Sequence, residues 1–161
     1  MRFTLIKDIR KDNSMSSILN ALLLFTFIYL ISDLFVSSTT IGFSNLEIQT
    51  TLYGNEEEFL EPITLSSFLE YIHTKIFFMM MTLLTLSAVY LRLMKATSLA
   101  IYMVNIVMLS ALVTIITLSI IFFLHYSSLL NLYILFFILW HIFALYMTLH
   151  SLWKLNYATS L

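Results

Sequence analysis

The chain contains no cysteine among its 161 residues. This absence excludes disulfides, thiolate metal sites, c-type haem attachment, iron–sulfur clusters and cysteine nucleophiles. Glycine and proline are nearly absent as well, and Gly42, Gly54 and Pro62 all lie in one polar segment. The apolar runs therefore carry no proline kink and no GxxxG face. This composition argues against an alternating-access carrier, because such carriers bind substrate at unwound helices.

Charged residues are also scarce. Only 11% of the residues are charged and 60% are hydrophobic, whereas a soluble domain averages about 25% charged residues. The net charge of −1 gives no basic field for nucleic acid. Lipid must therefore solvate most of the chain, which we expect to form a single all-α membrane domain over residues 1–161.

Four long apolar runs occupy residues 17–36, 68–94, 98–124 and 130–153. Each is long enough to cross a bilayer, which takes about 20 residues. The first run follows basic residues, as a signal peptide does, but its length matches a membrane span and we expect it to be retained. The short links between the last three runs favour antiparallel neighbours. The pattern predicts an antiparallel bundle of four transmembrane helices embedded in lipid.

The segment before the first run is basic. Residues 1–16 contain four Lys or Arg side chains, and Phe3, Ile6 and Ile9 recur among them at every third position. This spacing predicts a short amphipathic helix on the membrane surface. A frayed basic tail is the alternative.

The segment after the first run, residues 37–66, is an acidic loop without Lys or Arg. Within it, Asn55 precedes three glutamates and is expected to cap a short helix. Ser67 and Glu70 then have the spacing of a capping box. This box predicts the start of the second long helix.

The distribution of Lys and Arg predicts the orientation. Basic residues lie in residues 1–16, in residues 92–95 and at Lys154, whereas residues 37–66 and 125–129 contain none. The positive-inside rule then places both termini on the cytoplasmic or matrix side and the acidic loop outside. We expect a bacterial inner membrane or an organellar inner membrane.

A few polar residues interrupt the apolar runs. Asp33 and Lys75 lie near the outer ends of their runs and are expected to form an interfacial ion pair, with the glutamates of the loop as other partners for Lys75. The middle of every run lacks Asp, Glu, Lys and Arg, so the interior is expected to be free of charge and a proton pump is improbable. Asn20 and Asn105 are expected to form hydrogen bonds between helices.

Histidine is the residue type that carries a functional hypothesis. His73 and His125 are predicted to lie at similar depth near the outer side, and His141 lies near the middle of the fourth run. Neutral imidazoles from facing helices are the ligands of b-type haem in membrane bundles. We therefore expect haem b to be held by His73 together with His125 or His141. Interfacial anchoring of these side chains is the alternative, and a copper or zinc ion is less favoured because it needs a third ligand.

Two functional hypotheses follow from these residues. The first is an electron-transfer subunit that binds haem b, and the general plan is similar to that of small haem-bearing or quinone-linked membrane subunits, although no stretch matches a signature motif. The second is a non-catalytic accessory subunit of a larger membrane complex. Neither gives the chain a catalytic activity of its own. A small channel lined by Ser110, Thr114 and Thr117 is a third, weaker possibility.

The acidic loop suggests a partner outside the membrane. Four glutamates of this loop lack the alternating Asp and Asn spacing of a calcium loop. They are expected to face solvent or to dock a basic partner. These residues are Glu56, Glu57, Glu58 and Glu61.

Overall fold

The computed structural model describes residues 13–157, which form five α-helices and contain no extended strand. Four of the helices are long and apolar enough to cross a membrane, as an integral membrane protein requires. The predicted amphipathic segment, residues 1–16, lies outside the described residues except for its last four, which belong to the first helix. The helices are α1 Asn13–Thr40, α2 Asn45–Tyr53, α3 Leu65–Leu93, α4 Ser98–Leu124 and α5 Leu130–Tyr157.

The long helices exceed the thickness of the hydrocarbon layer. Each has 27 to 29 residues, so each rises about 40 Å against a hydrocarbon core of about 30 Å. The bounds of α4 are those predicted from its apolar run, whereas α1 continues past the predicted end at residue 36. Hydroxyl groups explain this extension, because Ser38 and Thr39 donate hydrogen bonds to the Phe35 carbonyl of their own helix at 2.8 and 3.1 Å.

The bundle is organised around α5, which contacts each of the other helices. Its buried apolar residues are spaced alternately four and three apart, which keeps them on one face of a helix. Trp140, Ala144 and Met147 are completely buried. Large side chains at this face therefore fill the centre of the bundle. The spaced residues are Tyr133, Phe137, Trp140, Ala144 and Met147.

The short helix outside the bundle is α2, and it precedes the position that was predicted for it. Ser44 is its N-cap and accepts a hydrogen bond from the Glu47 amide at 3.1 Å, while the Glu47 carboxylate accepts one from the Ser44 amide at 3.1 Å. The predicted helix after Asn55 is wrong. Asn55 instead bridges to Leu60 across a tight turn and accepts the Glu57 amide at 3.0 Å.

The predicted capping box at Ser67 and Glu70 is also wrong. The N-cap of α3 is Thr64, which has an extended backbone and whose side-chain oxygen accepts a hydrogen bond from the Ser67 amide at 3.2 Å. The Ser67 hydroxyl pairs with Thr64 at 2.9 Å. Thr64 and Ser67 lie three positions apart and both fit the N-cap pattern. Since Thr64 is the N-cap, the helix begins one turn earlier than predicted.

The segment that contains α2 packs across one end of the bundle. Ile48 and Leu52 are buried there, the Tyr53 hydroxyl donates to the Ile121 carbonyl at 2.8 Å, and Asn45 donates to Asn131 at 2.8 Å. We call this end, which comprises residues 41–64 and 125–129, the α2 end. These contacts fix the loop to α4 and α5.

The start of α2 should depend on pH through Glu47. Hydrogen bonds from the Phe43 and Ser44 amides hold the pKa of the Glu47 carboxyl below its usual value. The cap is therefore fully formed above the usual glutamate pKa of about 4.3 and is lost as the pH falls through the lower, folded-state pKa. NMR titration should show the Phe43 and Ser44 amide protons shifting together with the Glu47 carboxyl carbon. Amide shifts that do not titrate in the wild type, or that still titrate in Glu47→Gln, would contradict this assignment.

Candidate functional site

A group of charged side chains lies where α1, α3 and α5 meet. The Lys75 Nζ donates to Asp33 Oδ2 at 2.6 Å and to the Ser37 hydroxyl at 2.7 Å. The His141 Nε2 lies 2.9 Å from the same Asp33 oxygen. We call Asp33, Ser37, Lys75 and His141 the charged cluster. One carboxylate oxygen thus joins three membrane helices.

The charged cluster is buried. Asp33, Lys75 and His141 are only 8%, 7% and 2% exposed. Lys75 lies ten residues from the start of α3, a rise of about 15 Å. The Asp33–Lys75 pair is confirmed, and its expected position at the membrane interface stays a prediction. An unpaired charge within a membrane helix costs about 3 kcal/mol or more, so pairing is what makes these buried residues tolerable.

Aromatic rings lie around Lys75 and His141 of the cluster. The Lys75 Nζ lies 5.1 Å from the centre of the Phe137 ring and 5.9 Å from that of Trp140. The His141 ring centre lies 3.6 Å from that of Trp140. The faces of aromatic rings attract cations. These rings therefore add to the stabilisation of the buried Lys75 ammonium.

Both ring nitrogens of His141 lie within hydrogen-bond distance of an oxygen atom. Nδ1 lies 2.8 Å from the Phe137 carbonyl oxygen, which can only accept. Nε2 faces the carboxylate of Asp33. A neutral imidazole has one N–H and one nitrogen that accepts, so which atom donates at each contact depends on the tautomer of His141. Both ring nitrogens are thus engaged within the bundle.

A cleft of about 520 Å³ between α1 and α3 reaches the charged cluster. Glu70 and Ser67 line it toward the α2 end, Asp33 and Lys75 line its wall, and Phe78 lines it farther along α3. The Tyr71 hydroxyl, also in this wall, lies near the Ser37 side chain but forms no hydrogen bond of good geometry among the described residues. The cluster is thus buried by protein on the α5 side and accessible from this cleft.

The other predicted haem ligands lie in different surroundings. His73 is exposed on α3. His125 is exposed at the α2 end, where its backbone is left-handed and its ring lies 4.9 Å from that of Tyr53. Residues 13–157 contain no group of three or more His, Cys, Asp or Glu side chains able to hold a metal ion. Haem ligation stays a prediction, and His141 could join it only by giving up a ring nitrogen that now faces Asp33 or Phe137.

The hydroxyl stripe of α4 has a different role from the one considered for a channel. Ser110, Thr114 and Thr117 are buried. Their hydroxyls donate to backbone carbonyls one turn earlier in α4, at 2.5 to 2.8 Å. Such bonds satisfy the hydroxyl within its own helix. The stripe therefore packs inside the bundle, where it allows close approach of helices.

Removing one member of the ion pair should destabilise the protein strongly. Lys75→Met leaves Asp33 in an apolar bundle with only His141, and we expect a loss of about 3–5 kcal/mol in the free energy of unfolding. The measurement is equilibrium unfolding in mixed micelles with a denaturing detergent. Lys95→Met, at an exposed position between α3 and α4, is the matched control.

Unfolding of a double variant separates the effect of breaking the ion pair from the effect of removing a single side chain. Asp33→Leu combined with Lys75→Met removes both charges, and should recover most of the stability that Lys75→Met loses. A Lys75→Met loss no larger than that of Lys95→Met would show that the ion pair contributes nothing. If the double variant loses as much stability as Lys75→Met and Asp33→Leu lose separately when their losses are added, the two charges act independently.

Comparison of the chain with protein-family models, with curated proteins and with solved structures finds no match. No matching family therefore supplies a fold or an activity for this chain.

Proposed function

We propose that the chain is a non-catalytic accessory subunit of a larger membrane protein complex, which it contacts through the acidic loop. In this proposal the four long helices form an antiparallel bundle in a bacterial inner membrane or an organellar inner membrane. Both termini lie on the cytoplasmic or matrix side, and the α2 end lies outside. The Lys and Arg residues of the sequence support this orientation, because none of them lies in the residues of the α2 end.

The observation that carries the proposal is the turn that presents Phe59. The Phe59 side chain is 94% exposed, and its backbone is left-handed, with φ of 54°. That conformation is costly for a bulky residue. The bridge between Asn55 and Leu60, with hydrogen bonds of 2.9 and 3.0 Å, holds the turn in place. A large apolar side chain held in a strained, exposed turn is typical of a binding anchor.

The surroundings of Phe59 indicate the chemistry of the partner. Four carboxylates lie in the same turn or directly after it, and all are exposed. No Lys or Arg of residues 37–66 neutralises them. A partner with an apolar pocket rimmed by basic residues would match this surface. The carboxylates are those of Glu56, Glu57, Glu58 and Glu61. We call residues 55–61 the acidic turn.

A native-membrane experiment tests the acidic turn. The full chain should run in native gels with a mass well above that of its own oligomers, and Phe59→Ser should release it, with a loss of about 2 kcal/mol or more in binding. Leu46→Ser, at another exposed apolar position of the α2 end, should leave the complex intact. A wild-type chain that migrates only as copies of itself would disprove the proposal, as would equal release by both variants.

The electron-transfer alternative makes a different prediction. A haem b held by His73 with His125 or His141 would give a Soret band that histidine-to-alanine variants abolish. Under the accessory-subunit proposal, protein purified from haem-replete cells should show no band that depends on these residues. Absorption spectra of the wild type and of His73→Ala, His125→Ala and His141→Ala decide between the two. A Soret band lost in any of these variants would favour electron transfer.

A further inference from the structure

One face of α4 is exposed and has the spacing of a helix-pairing seam. Its residues are separated alternately by three and four positions, as are the a and d positions of a heptad. Residues on the opposite face of α4, including Val107 and Ala111, are buried in the bundle. The exposed residues are Tyr102, Asn105, Leu109, Leu112 and Ile116. We call these five residues the α4 seam.

A groove of about 620 Å³ runs beside the α4 seam, between α3 and α4. Ile76 and Met80 of α3 form its other wall, and Met80 is half-exposed. Except for Asn105 and Tyr102, the side chains that line this groove are apolar. A helix laid along the seam would place its own side chains in this groove, as in knobs-into-holes packing.

Asn105 is the unusual member of the seam. It is exposed, it lies about 10 Å from the start of α4, and its side chain has no hydrogen-bond partner among residues 13–157. Among the described residues, Asn105 therefore forms no hydrogen bond to another helix, and the expected interhelical bond stays a prediction. Lipid offers neither donors nor acceptors, so an amide at this depth needs a partner from another helix.

Two pairs of asparagines link helices within the chain, and in each pair the side-chain amide bonds to another amide. Asn20 and Asn156 exchange two hydrogen bonds of 3.0 and 3.1 Å, as was expected for Asn20. Asn45 pairs with Asn131 at 2.8 Å. An amide has both a donor and an acceptor and is therefore complementary to itself. Two copies inserted with the same orientation would place their Asn105 side chains at the same depth.

We propose that the α4 seam binds a second copy of this chain, with α4 packed parallel to its counterpart and Asn105 paired with Asn105 of the other copy. The contact is isologous, so each copy contributes the same residues. The paired amides set the register, as a single buried Asn does in a coiled coil. This contact is separate from the acidic turn and does not depend on the partner proposed there.

Cysteine cross-linking in native membranes tests the seam, and the cysteine-free chain makes every disulfide traceable to an introduced residue. Leu109→Cys and Leu112→Cys should each give an oxidised species of twice the chain mass. Leu135→Cys and Ile142→Cys, at similarly exposed positions of α5, are the matched controls and should not. Equal cross-linking of seam and control positions would overturn the proposal. So would a cross-linked product that contains a different protein.

The role of Asn105 is tested in the Leu109→Cys background. Adding Asn105→Leu should weaken association by about threefold to twentyfold, the range measured for hydrogen bonds between membrane helices. The variant should unfold in micelles no more readily than its Leu109→Cys parent, because Asn105 makes no hydrogen bond within the described residues. Asn20→Leu should destabilise the fold without reducing the cross-link. Unchanged cross-linking in Asn105→Leu would show that Asn105 does not contribute to the contact. Phe59→Ser serves as the control for the acidic turn, and its cross-linking should be unchanged whether or not that turn binds a partner.

Discussion

The hydrogen-bonded Asp33 carboxylate is the interaction on which the arrangement of helices depends. Lys75 and His141 bond to one of its oxygens, so α1, α3 and α5 have to be in register for the charges of Asp33 and Lys75 to be tolerated. Apolar packing alone does not demand this, because lipid is as apolar as the helix faces. Burying the cluster does not by itself stabilise the protein. Its effect is to make alternative rotations of α1 more costly than the native one.

The sequence predicted the four long helices because runs of apolar residues with charged ends are a strong signal. It failed at the caps. Thr64 and Ser67 both fit the start of α3, and hydropathy cannot distinguish them. Glutamates after Asn55 suggested a helix, but the capping box of Ser44 and Glu47 forms α2 earlier in the chain. Local patterns of this kind are repeated within a few residues, and tertiary contacts at the α2 end select one of them.

The charged cluster was only partly predictable, and the reason lies in α1. Asp33 and Lys75 could be paired from their predicted depth, and His141 could be placed near the middle of its helix. The sequence does not indicate how α1 is rotated about its axis, because the apolar residues of this helix lie on all its faces and mark no single buried face. The sequence therefore does not assign His141 to Asp33 and groups it with His73 and His125, which are exposed in the structure.

Many polar groups in the long helices find hydrogen-bond partners in one of two ways, and this explains why the exposed side of α4 matters. Ser110, Thr114 and Thr117 bond to their own helix. Asp33, Lys75 and His141 bond to one another across helices, and Asn20 bonds to Asn156. Asn105 has neither kind of partner among the described residues. Since an apolar residue at that exposed site would suit lipid better, the amide costs stability in an isolated chain. That cost is recovered only if another helix supplies the missing partner, so Asn105 favours association over monomer stability.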